Sequence, residues 1–287
     1  MNGQTKPTRF IPAMTTSEGA GVSVHRTIGT PTLRHYDPFM LLDHFSSDNP
    51  DEYIAGFPSH PHRGFNTFTY MLDGHMEHQD SMGNTGNLGP GDAQWMKAGS
   101  GVIHSEMPKQ ENGLMRGFQL WINLPAANKM ETPEYQEYDA DAFPVLDTPD
   151  YNIKVLIGHF GNKHSPIVDN ITHVSYFDVQ VKSGKRFQHE LPAENNSFLY
   201  LFEGDGQLNG QKVSLHTFIA LGANDKTPDF HAGKQGARLI VISGKPINES
   251  IVQYGPFVMN SREEIDQAMR DFRSNRFVSD RAWVNRK

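Results

Sequence analysis

The sequence predicts an all-β protein built of two related β-domains and ending in a short helix. Three observations carry this. Glycine (26) and proline (18) are frequent among the 287 residues and separate runs rich in β-branched and aromatic side chains, as short strands joined by tight turns require. Tyr70-Met71-Leu72-Asp73-Gly74 resembles Tyr200-Leu201-Phe202-Glu203-Gly204, each an apolar strand end closed by an acid and a glycine. Recurrence at about domain length points to duplication of one β-domain. Near the C-terminus the pattern changes to the signals of a single helix.

Taken in order, Phe65 to Leu72 reads as the first clear strand, and Gly74 closes it. Gly89-Pro90-Gly91-Asp92 is a turn, Ala93 to Lys97 a strand, and Gly99-Ser100-Gly101 another turn. In Gly117 to Leu124, Phe118, Leu120, Ile122 and Leu124 share one face, while Gln119, Trp121 and Asn123 share the other. The polar, proline-bounded run Pro125 to Pro133 is the expected linker, dividing the chain into 1–128 and 129–287. The second half offers strands at 174–181, 197–202, 211–215 and 238–243. The helix, about 262–275, opens on the capping box Ser261-Arg262-Glu263-Glu264. Its apolar stripe is Ile265, Met269 and Phe272, and Arg270, Arg273 and Arg276 lie toward the end that favours cations.

Two short motifs carry the chemistry. His60-Pro61-His62 and His104-Ser105-Glu106 each place two metal-binding groups two residues apart, and in a strand such residues project from one face. Brought together, they offer three imidazoles and a carboxylate, a set suited to iron, nickel, copper or manganese with positions left open. Among 14 histidines one such pair could be two half-buried imidazoles with satisfied hydrogen bonds. Two pairs, each framed by glycine turns, favour metal. The second half lacks them: Phe187-Gln188-His189-Glu190 stands where the first motif would be. His189, His216 and His231 read as surface or strand-packing residues, so one metal is expected.

Composition narrows the classes further. There is no cysteine, which excludes disulfides, thiolate zinc sites, iron–sulfur clusters and a cysteine nucleophile. A net charge of −7 without a basic run disfavours nucleic acid. The first residues lack the apolar core of a secretory signal, and no stretch approaches the ~20 apolar residues of a membrane span. The expectation is a soluble, cytoplasmic protein, monomeric and not membrane-bound.

The chain resembles the pirin family of the cupin superfamily. The resemblance rests on Leu41-Leu42-Asp43-His44-Phe45, Phe57 to Phe65, Gly91 to Met96, His104-Ser105-Glu106-Met107-Pro108, Gln119 to Leu124 and Gln253 to Asn260, and so covers essentially the whole chain. It implies a bicupin, two stacked jelly-roll-like β-barrels with one metal in the N-terminal barrel. His60, His62, His104 and Glu106 match the family's four ligand positions. Many pirins carry Glu where this chain has Asn66, a departure expected to alter the pocket's polarity. Bacterial pirin-like proteins resemble quercetin 2,3-dioxygenases, which implies cleavage of a flavonol such as quercetin by O₂ with release of carbon monoxide. The implied cofactor is one divalent metal, Fe(II) first, with Ni, Cu, Mn or Zn as alternatives. Glu106 would serve as ligand and general base. Trp95, Met96, Gln119 and Trp121 are candidates for the pocket wall, while His78 and Asp80 read as ordinary polar strand residues. The alternative activity, also implied by the family, is an iron-dependent redox sensor that binds a transcription factor or a metabolic enzyme subunit.

Overall fold

The computed structural model describes residues 7–280 and 284–286. Its strands and single α-helix bear out the all-β expectation, and the chain folds as two compact units. The first comprises 15–141 and 247–287, the second 1–14 and 142–246. Among the described residues no helix is long and apolar enough to cross a membrane.

The division is not the expected single cut after residue 128. Arg9–Pro12 adds to the edge of the second unit's sheet by pairing with Thr217–Ala220, and the chain from 247 onward returns to the first unit, helix included. Local pattern marks strands and turns, but the choice of sheet edge is a tertiary property, invisible to it.

The first unit pairs an eight-stranded sheet, whose centre is Phe39–Ser47, Met115–Asn123, Phe65–Asp73 and Ala93–Lys97, with a four-stranded sheet ordered Phe57–His62, Val102–Pro108, Met76–Asp80, Thr85–Leu88. Val24, Phe45, Met71 and Met115 from the larger sheet pack with Met76 and Leu88 from the smaller, so a continuous apolar core joins them. The second unit repeats the plan in one nine-stranded sheet. Asn196–Leu208 and Asp229–Gly244 are each long enough to do the work of two strands of the first unit. Bulges at Leu201/Glu203 and Gly204/Gly206 bend the former between its two roles.

The C-terminal helix, Arg262–Arg273, begins as its sequence demands: Ser261 Oγ accepts from Glu264 N–H at 3.2 Å, and Glu264 accepts from Ser261 N–H at 2.9 Å. Ile265 and Ala268 are its buried residues, packed with Phe257, Met259 and Phe277, whereas Phe272 stays 43% exposed. Arg63, next to His62, ties this segment down. Its guanidinium donates to Ser100 O (2.6 Å), Asp271 (2.8 Å) and Phe277 O (3.1 Å), and lies 4.3 Å over the Phe277 ring.

Lys129, expected in a polar linker, is instead 1% exposed. Its ammonium donates to Gly64 O (2.8 Å), to nearby Asn123 Oδ1 (2.5 Å) and to Val258 O (2.9 Å), binding its own segment to two distant ones. Gly64 has φ +91°, and a Cβ there would meet Val258 O at 2.1 Å, so this crossing needs glycine. Replacing Lys129 by Met leaves three buried acceptors without a donor. The expected cost is about 3 kcal/mol, read as a lowered denaturation midpoint at unchanged m-value. An unchanged midpoint would refute the role.

Candidate metal centre

The two motifs meet as adjacent antiparallel strands. His104 stands opposite His60, and Val102 opposite His62; a bulge follows, so that Glu106 lies opposite Phe57. On its other edge the Val102–Pro108 strand pairs with Met76–Asp80, placing Glu106 opposite His78 and His104 opposite Asp80. Candidate ligand atoms of His60, His62 and His104 all lie within 4.8 Å of one another, and so do those of His78, His104 and Glu106. The four residues expected as one set are thus brought together as two triads sharing His104. His78, expected to be an ordinary strand residue, belongs to the second triad.

The donor set fits a divalent ion. His60 Nδ1 lies 2.8 Å from Pro58 O, which can only accept, so Nδ1 carries the proton and Nε2 presents its lone pair. That Nε2 is 2.9 Å from His62 Nε2. His104 Nε2 is buried with no hydrogen-bond partner among the described residues. Nitrogen atoms gathered this closely in a buried place are the preparation a cation needs.

The electrostatics favour the same state. Burial pushes the His62 and His104 pKa values well below the usual 6.5, helped by mutual repulsion among the imidazoles. Burial likewise lowers His60, against the Pro58 carbonyl, and takes His78 down to about 4. All four are therefore neutral near pH 7, as ligands must be. Glu106 is 6% exposed, and burial raises its pKa to about 7, opposed by a hydrogen bond from Thr69. A cation nearby would return it to the charged form.

His60, His62 and Glu106 line a cavity of about 1020 Å³ in the first unit. Trp121 and Gln119 are in its wall, as expected; the Trp121 ring lies 5.1 Å from His62 and 4.4 Å from Phe65. Thr69 Oγ1, also in the wall, is 2.5 Å from Gln119 Oε1. Trp95 and Met96 are not in it. Met96 packs with Ala98, Val102 and Tyr135, and Trp95 lies toward Phe68. Every residue from Ala93 to Met96 is buried, so alternation alone could not tell which face met the cavity. Asn66, expected to alter the pocket's polarity, is also buried outside the wall. Sequence reasoning missed Arg26, held by Asp43 at 2.7 and 2.6 Å, and the wall contributed by Ile251, Gln253 and Pro256. For His78 a signal existed: His78-Gln79-Asp80 repeats the spacing of the two motifs. Asp80 itself caps a turn, accepting from Met82 N–H, Asn84 N–H and Asn84 Nδ2.

The second unit explains its own lack of a site. Matching Tyr70–Gly74 to Tyr200–Gly204 carries Phe57 and His78 to Phe187 and Leu208, and both of these pair with Phe230 where Phe57 and His78 pair with Glu106. Phe187, Phe230 and Ala232 are part of that unit's apolar core. His189 packs against Phe160 and Phe177, His216 lies near Tyr200, and His231 pairs with Asp229 at 3.0 Å, so these three make no cluster.

Comparison with known proteins agrees with this architecture. The family model Pirin matches residues 21–122, and Pirin C-terminal cupin domain matches 176–278. A Pseudomonas aeruginosa protein named "Putative quercetin 2,3-dioxygenase" is 46% identical, covering 90% of this chain and 92% of its own length. Human "Pirin" is 36% identical over 100% of this chain and 99% of its own. A crystal structure of quercetin 2,3-dioxygenase from Acinetobacter baumannii superposes with a TM-score of 0.87 at 29% identity, covering 95% of this chain and 98% of that one.

Proposed function

The chain belongs to the pirin family, and we propose that it is a metal-dependent dioxygenase that opens a flavonol such as quercetin with O₂, releasing carbon monoxide. The observation that carries this is the convergence of His60, His62, His104 and Glu106 beside a cavity of about 1020 Å³, large enough for a three-ring aromatic. Names borne by relatives such as the Pseudomonas protein support the substrate class. His60, His62 and His104 hold the ion, Fe(II) first among the candidates, and Glu106 supplies the carboxylate. When bound, the ion supplies an electrophile that acidifies a phenolic or enolic hydroxyl and leaves positions open.

The chain's own side chains do the rest. Trp121, fixed by Phe65 and His62, gives the aromatic substrate a flat wall. Glu106, in the cavity wall, lies where it can take the proton of the flavonol 3-hydroxyl as general base. Thr69, hydrogen-bonded to Glu106, holds the carboxylate in place. The site's residues converge on a cavity of substrate size, which favours catalysis over partner-binding regulation.

Metal-free protein reloaded separately with Fe(II), Ni(II), Cu(II), Mn(II) and Zn(II), then mixed with quercetin in air, is expected to yield carbon monoxide and a depside with at least one ion. No carbon monoxide above the metal-only control with any of them would exclude the activity.

A further inference from the structure

We propose that His78 is a positioning residue of the metal centre: it accepts the Nδ1–H of His104 and thereby keeps His104 Nε2 free of a proton for the ion. The inference rests on the reading of His60, His62, His104 and Glu106 as metal ligands and goes beyond it by giving a role to a fifth side chain.

Geometry carries the argument. His78 Nδ1 and His104 Nδ1 are 3.2 Å apart, so of two neutral rings one donates there and the other accepts. Were His78 the donor, the His104 proton would sit on Nε2, the one nitrogen of that ring left for an ion. That ring lies 4.5 Å from His60 and 5.0 Å from His62, so the proton would block the site. With His104 as donor, Nε2 carries a lone pair, and its basicity rises as the Nδ1–H is shared. Ligating imidazoles commonly hand this proton to a carboxylate or a backbone carbonyl. Here the acceptor is a second imidazole.

His78 is held for this task. It is 2% exposed, stands opposite Glu106 across the strand pair, and has the Tyr135 ring 4.8 Å away. The second unit offers an internal comparison: where the first pairs His78 with Glu106, the repeat of Tyr70–Gly74 in Tyr200–Gly204 sets Leu208, paired with Phe230. The ligand and its proposed support are absent together there.

Zn(II), which is diamagnetic, serves as the probe. Affinity is measured by chelator competition for wild type, His78→Phe and His78→Gln, with thermal melting of each metal-free protein to establish folding. His78→Phe keeps the ring volume but cannot accept, and should bind Zn(II) about 10- to 100-fold more weakly. His78→Gln, whose amide oxygen can accept the same proton, should recover most of the loss even if its melting temperature falls. In ¹⁵N-histidine spectra of the Zn(II)-loaded wild type, His104 should carry its proton on Nδ1, slowed in exchange. Wild-type affinity in His78→Phe, or a His104 proton on Nε2, would overturn the role while leaving the metal centre standing. Absence of Zn(II) binding in the wild type would overturn the centre itself and the role with it.

Discussion

His62→Ala is expected to abolish stoichiometric metal binding and to lower flavonol turnover by at least about 10³-fold, the loss that follows when the several kcal/mol supplied by a metal ion are withdrawn. His62 and His104 are the most telling positions because both are almost wholly buried, at 2% and 1% exposure. Water fills in poorly for a ligand removed so deep, whereas His60, partly open to the cavity, leaves a place that water can reach. His60→Ala should accordingly keep weak binding. The measurement is metal content after dialysis, together with carbon monoxide release. His62→Ala with full occupancy and wild-type rate would mean that the triad is not the ligand set. Truncation of this ring also opens a void beside Trp121 and Phe65, so melting of the metal-free variant separates lost affinity from lost packing.

The parts of this centre that were legible in the sequence are those with a local signature. His60-Pro61-His62 and His104-Ser105-Glu106 announce themselves because a strand repeats every two residues, and each pair does project together. The capping box at Ser261 was equally plain, being a three-residue relation. Other features depend on partners far away in the chain. Lys129 looked like a linker residue, and its burial follows from carbonyls of Gly64 and Val258. Trp95 lies on a strand covered on both sides, so neither face was marked as pocket. Ile251, Gln253 and Pro256 reach the cavity only because the chain after 246 returns to the first unit. The emptiness of the second unit was visible as missing histidines, but that Phe230, paired with Phe187 and Leu208, stands where Glu106 is paired with Phe57 and His78 needed the strand register.

The metal-free protein is expected to lose stability as pH falls from about 7 to about 4, and the sign follows from the buried imidazoles. His60, His62, His78 and His104 all have folded pKa values below the 6.5 of the unfolded chain. A depressed folded value means that the unfolded state binds protons first. Stability is thus fully present above 6.5 and drains away as pH falls toward each folded value. For His78, with a folded value of about 4, the loss is at most about 3 kcal/mol. Glu106 works oppositely. Its folded value of about 7 lies above the unfolded 4.5, so its contribution is present at low pH and lost as pH rises through 7. One carboxyl of that size offsets about one imidazole, and the remaining three decide the slope. A bound ion enlarges the acid loss, because ligands must be deprotonated to hold it and acidification releases it together with its stabilisation. Urea denaturation at half-unit steps from pH 8 to 4, with and without Zn(II), measures both effects. Stability that stays level or rises on acidification of the metal-free protein would show that these imidazoles are not held neutral by burial.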